Sequence, residues 1–571
     1  MQPPDDWSDW VSATDTYHWS DRNPLIDWLN TFGAAVGFVA DSHCPNYDKR
    51  FDYDRYMITQ SWAFKQAVLR WLLPHSPMRT IATNPNQARD LEKMERTLAA
   101  MKEGVPIIAQ AVLWNRVDRM LGMVDLLVRS DTLARLMADS FAGEPPEAAA
   151  VSAATLGHGA YHYRAIDIKF MTLQLLKDGT ASAEHLPSMV QNWIYNQALG
   201  QMQGYTPPAS YLVGRDFFRA AARVPHFDPQ LGRLAGEAAA WMRRLRKDGA
   251  SWHALPAPSA EELRPNMKSD RDQQWHAAKQ EIAAAQHDLT LLPYVGPQRR
   301  ALAAAEGITR WDNPNLTAQV LGFGDSIEGR RLDAVLLANR STGNQAVFPE
   351  RLMTNVGNWQ QPARLECFVS VLSVNDQADD FNQLPERGGT AMTCIITWGF
   401  LGRTGHWQGG QFVARDLSKS AEADLISAWQ LHLNKLAEEQ GVPLREVRFV
   451  HWGPLPLTFP SLNSFDLLDG LIHKEPITVR GAFTFGLAEM ARALHTLRLI
   501  ETDLPAIPPG VLEAMAGAWS SAREAKRQGV GLEQVDSMQV IGLFSSAACR
   551  SMKEILTLLR QRASASMSEA A

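Results

Sequence analysis

The sequence predicts an α/β protein in which two modules are joined by a helical region. At 571 residues the chain is too long for a single compact core. Helix and strand patterns alternate up to residue 248, and a second group of strands begins near residue 365. Stretches rich in Ala, Gly, Pro or mixed charge lie at 138–159, 248–272 and 563–571, and they read as insertions or linkers.

The first module is predicted to run helix, strand, strand, strand, helix, strand. Apolar residues at helical spacing, ended by Gly104, predict the first helix over 86–104. Apolar, β-prone runs predict the strands. The predicted strands are 106–114, 121–128, 165–170 and 209–213, and the second helix is 186–204.

The second module is predicted to contain strands followed by helices. A short helical hairpin over 292–308 precedes it. The predicted elements are strands at 366–374, 391–401, 405–413 and 447–452, with a helix at 421–440. We therefore expect modules over 1–225 and 346–562, a helical linker over 226–345, and a flexible tail over 563–571.

Composition restricts the classes of function. The chain is 45% hydrophobic and 21% charged, as in ordinary globular proteins, and its net charge is −6, so a nucleic-acid surface must be a local basic patch. Short apolar runs and an acidic N-terminus predict no membrane segment, no signal peptide and a cytoplasmic location. The four cysteines are scattered, which argues against a zinc ribbon, a disulfide framework and an iron–sulfur cluster.

An Asp-x-Lys pattern carries the strongest chemical signal. Strand alternation places Asp167 and Lys169 on one face, while Ile166 and Ile168 point to the core. Asp125 lies on the preceding strand. Two adjacent carboxylates can hold Mg²⁺ or Mn²⁺, and a nearby ammonium can orient water and neutralise a phosphate. A solvated ion pair on an edge strand is the alternative.

Three motifs together resemble the RecB-like branch of the PD-(D/E)XK nucleases: Gly-x-x-Asp at 122–125, Asp-x-Lys at 167–169, and the run 195–207. The resemblance implies a restriction-endonuclease-like core. It implies that Asp125 and Asp167 bind metal, that Lys169 is the motif lysine and that Gln197 positions substrate. A tyrosine usually follows that glutamine by four residues, but here the position is Gln201.

One expected metal ligand is replaced. The branch usually has a glutamate in a Gly-x-x-Phe-Glu context on an N-terminal helix, and the best match here is Trp62-Ala-Phe-Lys65. The resemblance therefore implies that Lys65 lies against the two aspartates. An ammonium there would partly replace a cation and lower metal affinity.

The C-terminal module resembles the RNase H-like, exonuclease-type domains that are fused to such nucleases in phages and large viruses. Its Asp-x-Glu pair is replaced by Ser370 and Leu372, the acid after the His-Trp strand is missing, and Ala548 stands at the last acid's place. Without converging oxygen ligands the module is expected to be inactive. Acids remain in the following segment, where a plain polar loop is the alternative: Asp376, Asp379 and Asp380.

Two basic clusters are candidate nucleic-acid contacts. The turn 293–297 looks like a degenerate helix-hairpin-helix with Arg299 and Arg300 beside it, or an ordinary helix connector. The second cluster could equally be a solvated helix face. It consists of Arg243, Arg244, Arg246 and Lys247.

These observations leave two hypotheses. The favoured one is a Mg²⁺- or Mn²⁺-dependent DNA nuclease that acts on single strands or ends in repair, recombination, replication or defence. The alternative is a catalytically dead pseudonuclease that serves as a nucleic-acid-binding or partner-docking scaffold. The sequence has no Walker P-loop, so no nucleotide cofactor is expected and any helicase partner is a separate chain.

Overall fold

The computed structural model describes residues 4, 6–145, 147–157, 159–215, 221–374, 381, 391–456 and 462–569. The fold is mixed α/β. The chain divides into two units, and each has segments from separate parts of the sequence. The first comprises Met1–Ala40, Met57–Ile282 and Asp379–Gly388, and the second comprises Asp41–Tyr56, Ala283–Ala378 and Gly389–Ala571. Among the described residues, no helix combines the length and the apolar character that crossing a bilayer needs.

A mixed sheet organises the first unit, with seven strands in its described part. The strands are β1 (Val11–Ser12), β2 (Met78–Thr80), β3 (Ile107–Asn115), β4 (Met120–Arg129), β5 (Tyr163–Ile168), β6 (Ala209–Val213) and β7 (Ala221–Pro225). Strands β2 to β7 lie side by side in chain order, and β1 pairs with β4. The β3–β4 and β4–β5 pairs are antiparallel, whereas β5 and β6 are parallel. A crossover connection is therefore needed between β5 and β6, and the helix Leu186–Gln203 lies within it.

Eight α-helices are described between residues 4 and 286. They are α1 (Tyr17–Ser20), α2 (Leu25–Trp28), α3 (Tyr53–Leu72), α4 (Leu91–Lys102), α5 (Ser130–Leu136), α6 (Leu186–Gln203), α7 (Pro229–Asp248) and α8 (His276–Gln286). The predicted order of helix, strand, strand, strand, helix, strand is confirmed in α4, β3, β4, β5, α6 and β6. The bounds differ by a few residues at most, except that α4 begins five residues later than predicted, after a 3-10 turn over Pro85–Arg89.

Helix α6 is buried although it is rich in amides, because its amides bond to the sheet backbone. Asn192 donates from Nδ2 to the carbonyl of Tyr211 at 2.7 Å. Gln203 accepts from the backbone N–H of Tyr163 at 2.8 Å and donates to its carbonyl at 3.1 Å. Bonded polar groups are tolerated in a core where unbonded ones are costly. The helix is thereby held in a fixed rotation over β5 and β6.

The first unit extends beyond the predicted module boundary at residue 225 and reaches Ile282. Helix α7 buries Leu231, Ala235, Trp241 and Leu245 in the same hydrophobic cluster as the sheet. The predicted linker therefore begins with a helix that belongs to this core, since its apolar face packs in the same cluster as the sheet.

Two stretches that the sequence marks as linkers are also packed. In the stretch 138–159, Glu144 forms an ion pair with the fully buried Arg164 at 2.6 Å. In the stretch 248–272, Leu263 is buried in the main cluster, and Asp272 pairs with the buried Lys279. Composition indicated loops correctly, but these loops supply buried charges and apolar contacts.

The second unit is built on a mixed sheet, with five strands in its described part. In chain order the strands of this unit are β8 (Val347–Phe348), β9 (Leu365–Val374), β10 (Met392–Leu401), β11 (Trp407–Val413), β12 (Val447–His451), β13 (Ser464–Asp466) and β14 (Thr478–Val479). The sheet order is β11-β10-β9-β12-β13, and β8 pairs with β14 separately. Strands β9, β10 and β11 are antiparallel neighbours, while β12 lies parallel to β9 and to β13.

Six further helices are described in this unit: α9 (Pro297–Ala305), α10 (Ile327–Arg340), α11 (Lys419–Gln440), α12 (Leu487–Thr496), α13 (Val511–Gln528) and α14 (Asp536–Glu569). Strands 366–374, 391–401, 405–413 and 447–452 and helix 421–440 are found within two residues of their predicted bounds. Helix α14 continues to Glu569, where the sequence predicted a flexible tail from residue 563.

Residue 122 on β4 has to be glycine because helix α6 packs closely against it. A Cβ at this position would lie 2.3 Å from Cε1 of the Tyr195 ring, closer than any real contact. The glycine of the Gly-x-x-Asp motif is thus the residue that lets α6 approach the sheet. We expect Gly122→Ala to destabilise the protein by about 1–3 kcal/mol, because the overpacked ring must move. Urea unfolding measures this change.

Gly236 on α7 is the matched control. A Cβ there meets no atom within 4 Å, and the position is helical. Gly236→Ala is expected to stabilise by up to about 1 kcal/mol through helix propensity. Equal effects of the two substitutions would contradict the close approach of Tyr195.

Candidate functional site

The site forms where strands β4 and β5 separate. Their antiparallel register runs from Arg129↔Tyr163 to Leu126↔Ile166, and one further step brings Asp125 opposite Asp167. Asp125 Oδ2 accepts the backbone N–H of Ile168 at 2.9 Å. The carboxylate thus binds a strand N–H at the end of the ladder, and the two acids lie within hydrogen-bonding reach of each other.

Two lysines that approach these acids each lie next in sequence to a buried phenylalanine. Phe64 on α3 and Phe170 after β5 pack with their ring centroids 5.9 Å apart. Their chain neighbours, Lys65 and Lys169, approach the two carboxylates. Ile166 and Ile168 are buried in the same hydrophobic cluster as the rings, as strand alternation predicted.

Lys65 makes the shortest charged contact of the site. Its Nζ lies 2.6 Å from Asp125 Oδ1, and Gln110 Nε2 donates to the same oxygen at 3.2 Å. With the N–H of Ile168 on Oδ2, both oxygens of Asp125 are engaged by protein donors. A metal ion that used Oδ1 of Asp125 would have to displace the Lys65 ammonium.

Lys169 connects Asp167 to helix α6. Its Nζ lies 2.9 Å from Asp167 Oδ2 in an ion pair whose geometry does not make a hydrogen bond, so the structure describes no hydrogen-bond donor to this buried oxygen. The same Nζ donates to Gln191 Oε1 at 2.5 Å. Gln191 in turn hydrogen-bonds Tyr195 one turn later.

Burial and pairing move the pKa values of the two acids in opposite directions. Burial raises the pKa of Asp167 to about 6, although the charge of Lys169 opposes this. Burial also acts to raise the pKa of Asp125, but the charge of Lys65 and the hydrogen bonds outweigh it and hold that pKa below its usual value. The charges of Asp125 and Asp167 overcome burial at Lys65 and raise its pKa. Lys65 therefore stays an ammonium.

Helix α6 contributes residues other than those the sequence indicated. Gln191 contacts Lys169, whereas Gln197, predicted to position substrate, lines a separate pocket with Trp193 and Arg243. Six residues along a helix correspond to about 240° of rotation, so Gln191 and Gln197 face different directions. The predicted role of Gln197 does not fit its location.

Gln191 and Tyr195 carry the signal that sequence reasoning missed. They are four residues apart, which is the spacing expected between the glutamine and tyrosine of this helix motif. Burial raises the pKa of Tyr195 well above its usual value, and the charges of Asp167 and Asp125 add to the effect. Under the resemblance to the RecB-like branch, Gln191 and Tyr195 fit the expected spacing, which Gln197 and Gln201 do not.

The residues present do not fit a divalent metal site. Two carboxylates and two ammonium groups converge here, so their formal charges cancel without a further cation. Among the described residues, no group of three His, Cys, Asp or Glu side chains could hold a metal ion. Mg²⁺ needs several oxygen ligands, and Lys65 stands where a third carboxylate was expected.

In the second unit, apolar side chains lie at two of the positions where the resemblance implied acids. Leu372 on β9 is buried, and Ala548 and Cys549 on α14 belong to the hydrophobic core. Cys549 Sγ lies 3.6 Å from the carbonyl of Thr397, which pairs with Ser370 across the sheet. Side chains of α14 thus pack where acids were expected.

Three predicted acidic residues lie outside the described residues: Asp376, Asp379 and Asp380. His451 is the last residue of β12, and its Nδ1 is 2.7 Å from the carbonyl oxygen of Gly453. Asp466 on β13 accepts from the N–H of Gly453 at 2.9 Å. These polar groups are used to shape the turn after β12.

The arginines of the cluster 243–247 mainly hold the N-terminal segment. Arg243 donates to the carbonyls of Asp9 and Asp118 at 2.9 and 2.7 Å. Arg246 donates to the carbonyls of residues 8 and 10 and to the carboxylate of residue 15. Arg244 pairs with Glu262. Lys247 is exposed.

Arg299 and Arg300 also have partners within their own unit. Arg299 donates to the carbonyl of Leu321 at 2.7 Å, and its guanidinium lies 3.6 Å from the ring centroid of Phe323. Arg300 pairs with the buried Asp288 at 3.1 Å. These contacts favour the helix connector over a phosphate-binding turn.

No family model, no curated protein and no solved structure matches this chain. What the site can do is therefore inferred from its own residues and distances.

The raised pKa of Asp167 predicts a pH signature. The folded state keeps the Asp167 proton up to about pH 6, whereas the unfolded chain loses it near 3.8, so wild-type stability falls between these values as pH rises. The free energy of unfolding of Asp167→Asn, relative to wild type, should therefore increase from pH 4 to 6 and then level off. Urea titrations across this range measure it.

Asp125→Asn is the control with the opposite sign. Because the pKa of Asp125 is lowered, its contribution to stability is present above about pH 4 and is lost as pH falls further. The relative stability of this variant should improve toward low pH. A flat pH profile for both variants would contradict the coupled, buried cluster.

A structural role for Arg246 gives a second prediction. Arg246→Ala removes three hydrogen bonds to residues 8, 10 and 15 and should cost about 1–3 kcal/mol of stability. Lys247→Ala, at the exposed neighbouring position, should change stability by less than about 0.5 kcal/mol. If Arg246→Ala left the stability unchanged but weakened DNA binding, the result would instead support the prediction that Arg246 contacts phosphate.

Proposed function

We propose that this chain is a nuclease-fold protein that has lost metal-dependent hydrolysis and now acts as a nucleic-acid-binding or partner-docking scaffold. The observation that carries the proposal is the 2.6 Å contact between Lys65 Nζ and Asp125 Oδ1. An internal ammonium there supplies the positive charge that a metal would bring, but it offers no coordination site for a phosphate oxygen or a water nucleophile.

A RecB-like PD-(D/E)XK core is part of this proposal. Three features support it: the order of helices and strands, the convergence of Asp125, Asp167 and Lys169 where β4 and β5 separate, and the Gln191–Tyr195 spacing on the following helix. The buried contact between Tyr195 and Gly122 adds a reason for the glycine of the motif.

An inactive RNase H-like second module is also proposed. The sheet order β11-β10-β9-β12-β13, with three antiparallel strands extended by two parallel ones, supports that fold. The apolar packing of Leu372, Ala548 and Cys549 supports the loss of hydrolytic activity there. Core packing of this kind is difficult to reverse, because an ionised acid at these positions would be buried without a partner.

The second candidate function is a Mg²⁺- or Mn²⁺-dependent DNA nuclease. The convergence of Asp125, Asp167 and Lys169 favours it, since this is the arrangement that the motif predicts. The difference between the two candidates is whether Lys65 leaves Asp125 when metal and DNA are present. Incubation of wild-type protein with end-labelled single- and double-stranded DNA and Mg²⁺ or Mn²⁺ tests this directly.

Lys65→Glu provides the decisive comparison. The change brings three carboxylates together with Lys169 as their one ammonium neighbour among the described contacts, so in EDTA the variant should melt well below wild type because like charges are buried together. Mn²⁺ should raise its melting temperature by several degrees, since a ligand that binds only the folded state stabilises it. Wild type should show no such shift. Differential scanning fluorimetry with and without Mn²⁺ measures both effects.

Two further variants control for charge removal alone. Lys65→Gln removes the ammonium without adding a ligand, and its response to Mn²⁺ should be smaller than that of Lys65→Glu. Adding Asp167→Asn to Lys65→Glu should abolish the response. If wild type shows the full Mn²⁺ shift, or cuts DNA in a manner that depends on Asp167 and Lys169, the scaffold proposal is wrong and the nuclease holds.

A further inference from the structure

We infer that the outer face of helix α3 binds single-stranded nucleic acid, with the indole of Trp62 stacking on a base. This inference rests on the proposal that the chain binds nucleic acid without cutting it, and it names the surface that does so. Trp62 has 63% of its surface exposed, and Ile58, one turn earlier, has 68% exposed. The other seventeen tryptophans of the chain are buried or half-buried, so the exposed Trp62 is the exception.

Trp62 lies beside the candidate site. On a helix with about 100° between successive residues, Lys65 is about 60° to one side of Trp62 and Arg70 about 80° to the other. The Lys65 ammonium contacts Asp125, while 28% of the lysine side chain remains exposed. Arg70 is exposed. The Lys65 charge is balanced by Asp125, so a strand that stacks on the indole would have the Arg70 guanidinium beside it as its cationic partner.

The charge pattern of this segment suits an anionic partner. The sequence contains no Asp or Glu between Asp54 and Asp90, although the chain as a whole carries a net charge of −6. The basic residues in that interval are Arg55, Lys65, Arg70, Arg79 and Arg89. Arg79 is paired with Glu103 and Lys65 with Asp125, so Arg70 supplies the charge of the outer face of α3 near Trp62. A local basic surface on an acidic protein is the expected footprint of a nucleic-acid site.

Single-stranded nucleic acid is the occupant that matches both features. Its unpaired bases offer apolar π-faces for an exposed indole, and its phosphodiesters pair with ammonium and guanidinium groups. In a duplex the bases are stacked on one another and are not available to Trp62. A protein partner could also cover Ile58 and Trp62, but it would have no need for an aromatic ring in particular. This difference can be tested.

The test measures binding of a 5′-fluorescein-labelled dT 20-mer by fluorescence anisotropy, with the intact chain in EDTA so that no strand is cut. Trp62→Leu should weaken binding on the order of tenfold, since one base stack contributes about that much. Trp62→Phe should stay within about threefold of wild type, because it keeps an aromatic face. Phe227→Ala, which removes another exposed aromatic side chain of this unit, should leave the affinity unchanged. The same assay with an rU 20-mer compares single-stranded RNA with single-stranded DNA. A DNA duplex of the same length tests whether binding requires unstacked bases.

Each outcome supports or overturns the inference. Equal binding by wild type and Trp62→Leu, or equal losses in Trp62→Leu and Trp62→Phe, overturns base stacking at α3 but leaves the proposed function standing. Tighter binding of the duplex than of either single strand also overturns it. If wild type binds none of the three probes, nucleic-acid binding fails as a whole. The Mn²⁺ response of Lys65→Glu then still reports separately on the loss of hydrolysis.

Discussion

The buried contact between Lys65 and Asp125 is the interaction on which the rest of the site depends. A carboxylate at the centre of a sheet must be paired, because an isolated buried charge is far more costly than a solvated one. In this protein Lys65 and Lys169 pair with Asp125 and Asp167, and the cluster is electrically balanced without any outside ion. The same balance that stabilises the fold removes the electrostatic reason for a divalent cation to bind.

The surrounding structure serves to hold that cluster in one geometry. Asp125 is fixed by a strand N–H and by Gln110, and Lys169 is fixed by Gln191 on helix α6. Helix α6 can lie this close because Gly122 has no side chain, so the Tyr195 ring passes over the strand. Because these side chains contact one another, the effects of substitutions at two of them on the free energy of unfolding are not expected to be additive.

The two units differ in how they depart from the hydrolytic sites that the resemblance implies. In the first unit Lys65 lies where the resemblance implies an acid, and Asp125, Asp167 and Lys169 are present. In the second unit Leu372 is buried and Ala548 lies in the hydrophobic core, at positions where the resemblance implies acids. A charge exchange at a partly exposed position can be reversed by one substitution, whereas an apolar core cannot accept several ionised acids. Only the first unit is therefore a candidate for restored metal binding.

The sequence by itself determined the order of the elements from α4 to β6 and the approximate bounds of the main strands of both sheets, because strand alternation and helical periodicity are local properties. That Asp125, Asp167 and Lys169 would lie together, with Lys65 against the aspartates, came from the resemblance of sequence motifs to a known family. Only the tertiary structure decided which glutamine faces the site, since Gln191 and Gln197 lie on one helix and their rotation is set by packing against the sheet. It likewise decided that Arg243, Arg246, Arg299 and Arg300 bond within the protein. A run of basic residues looks the same in a sequence whether its partners are distant backbone carbonyls or phosphates, and only the folded chain brings those partners together.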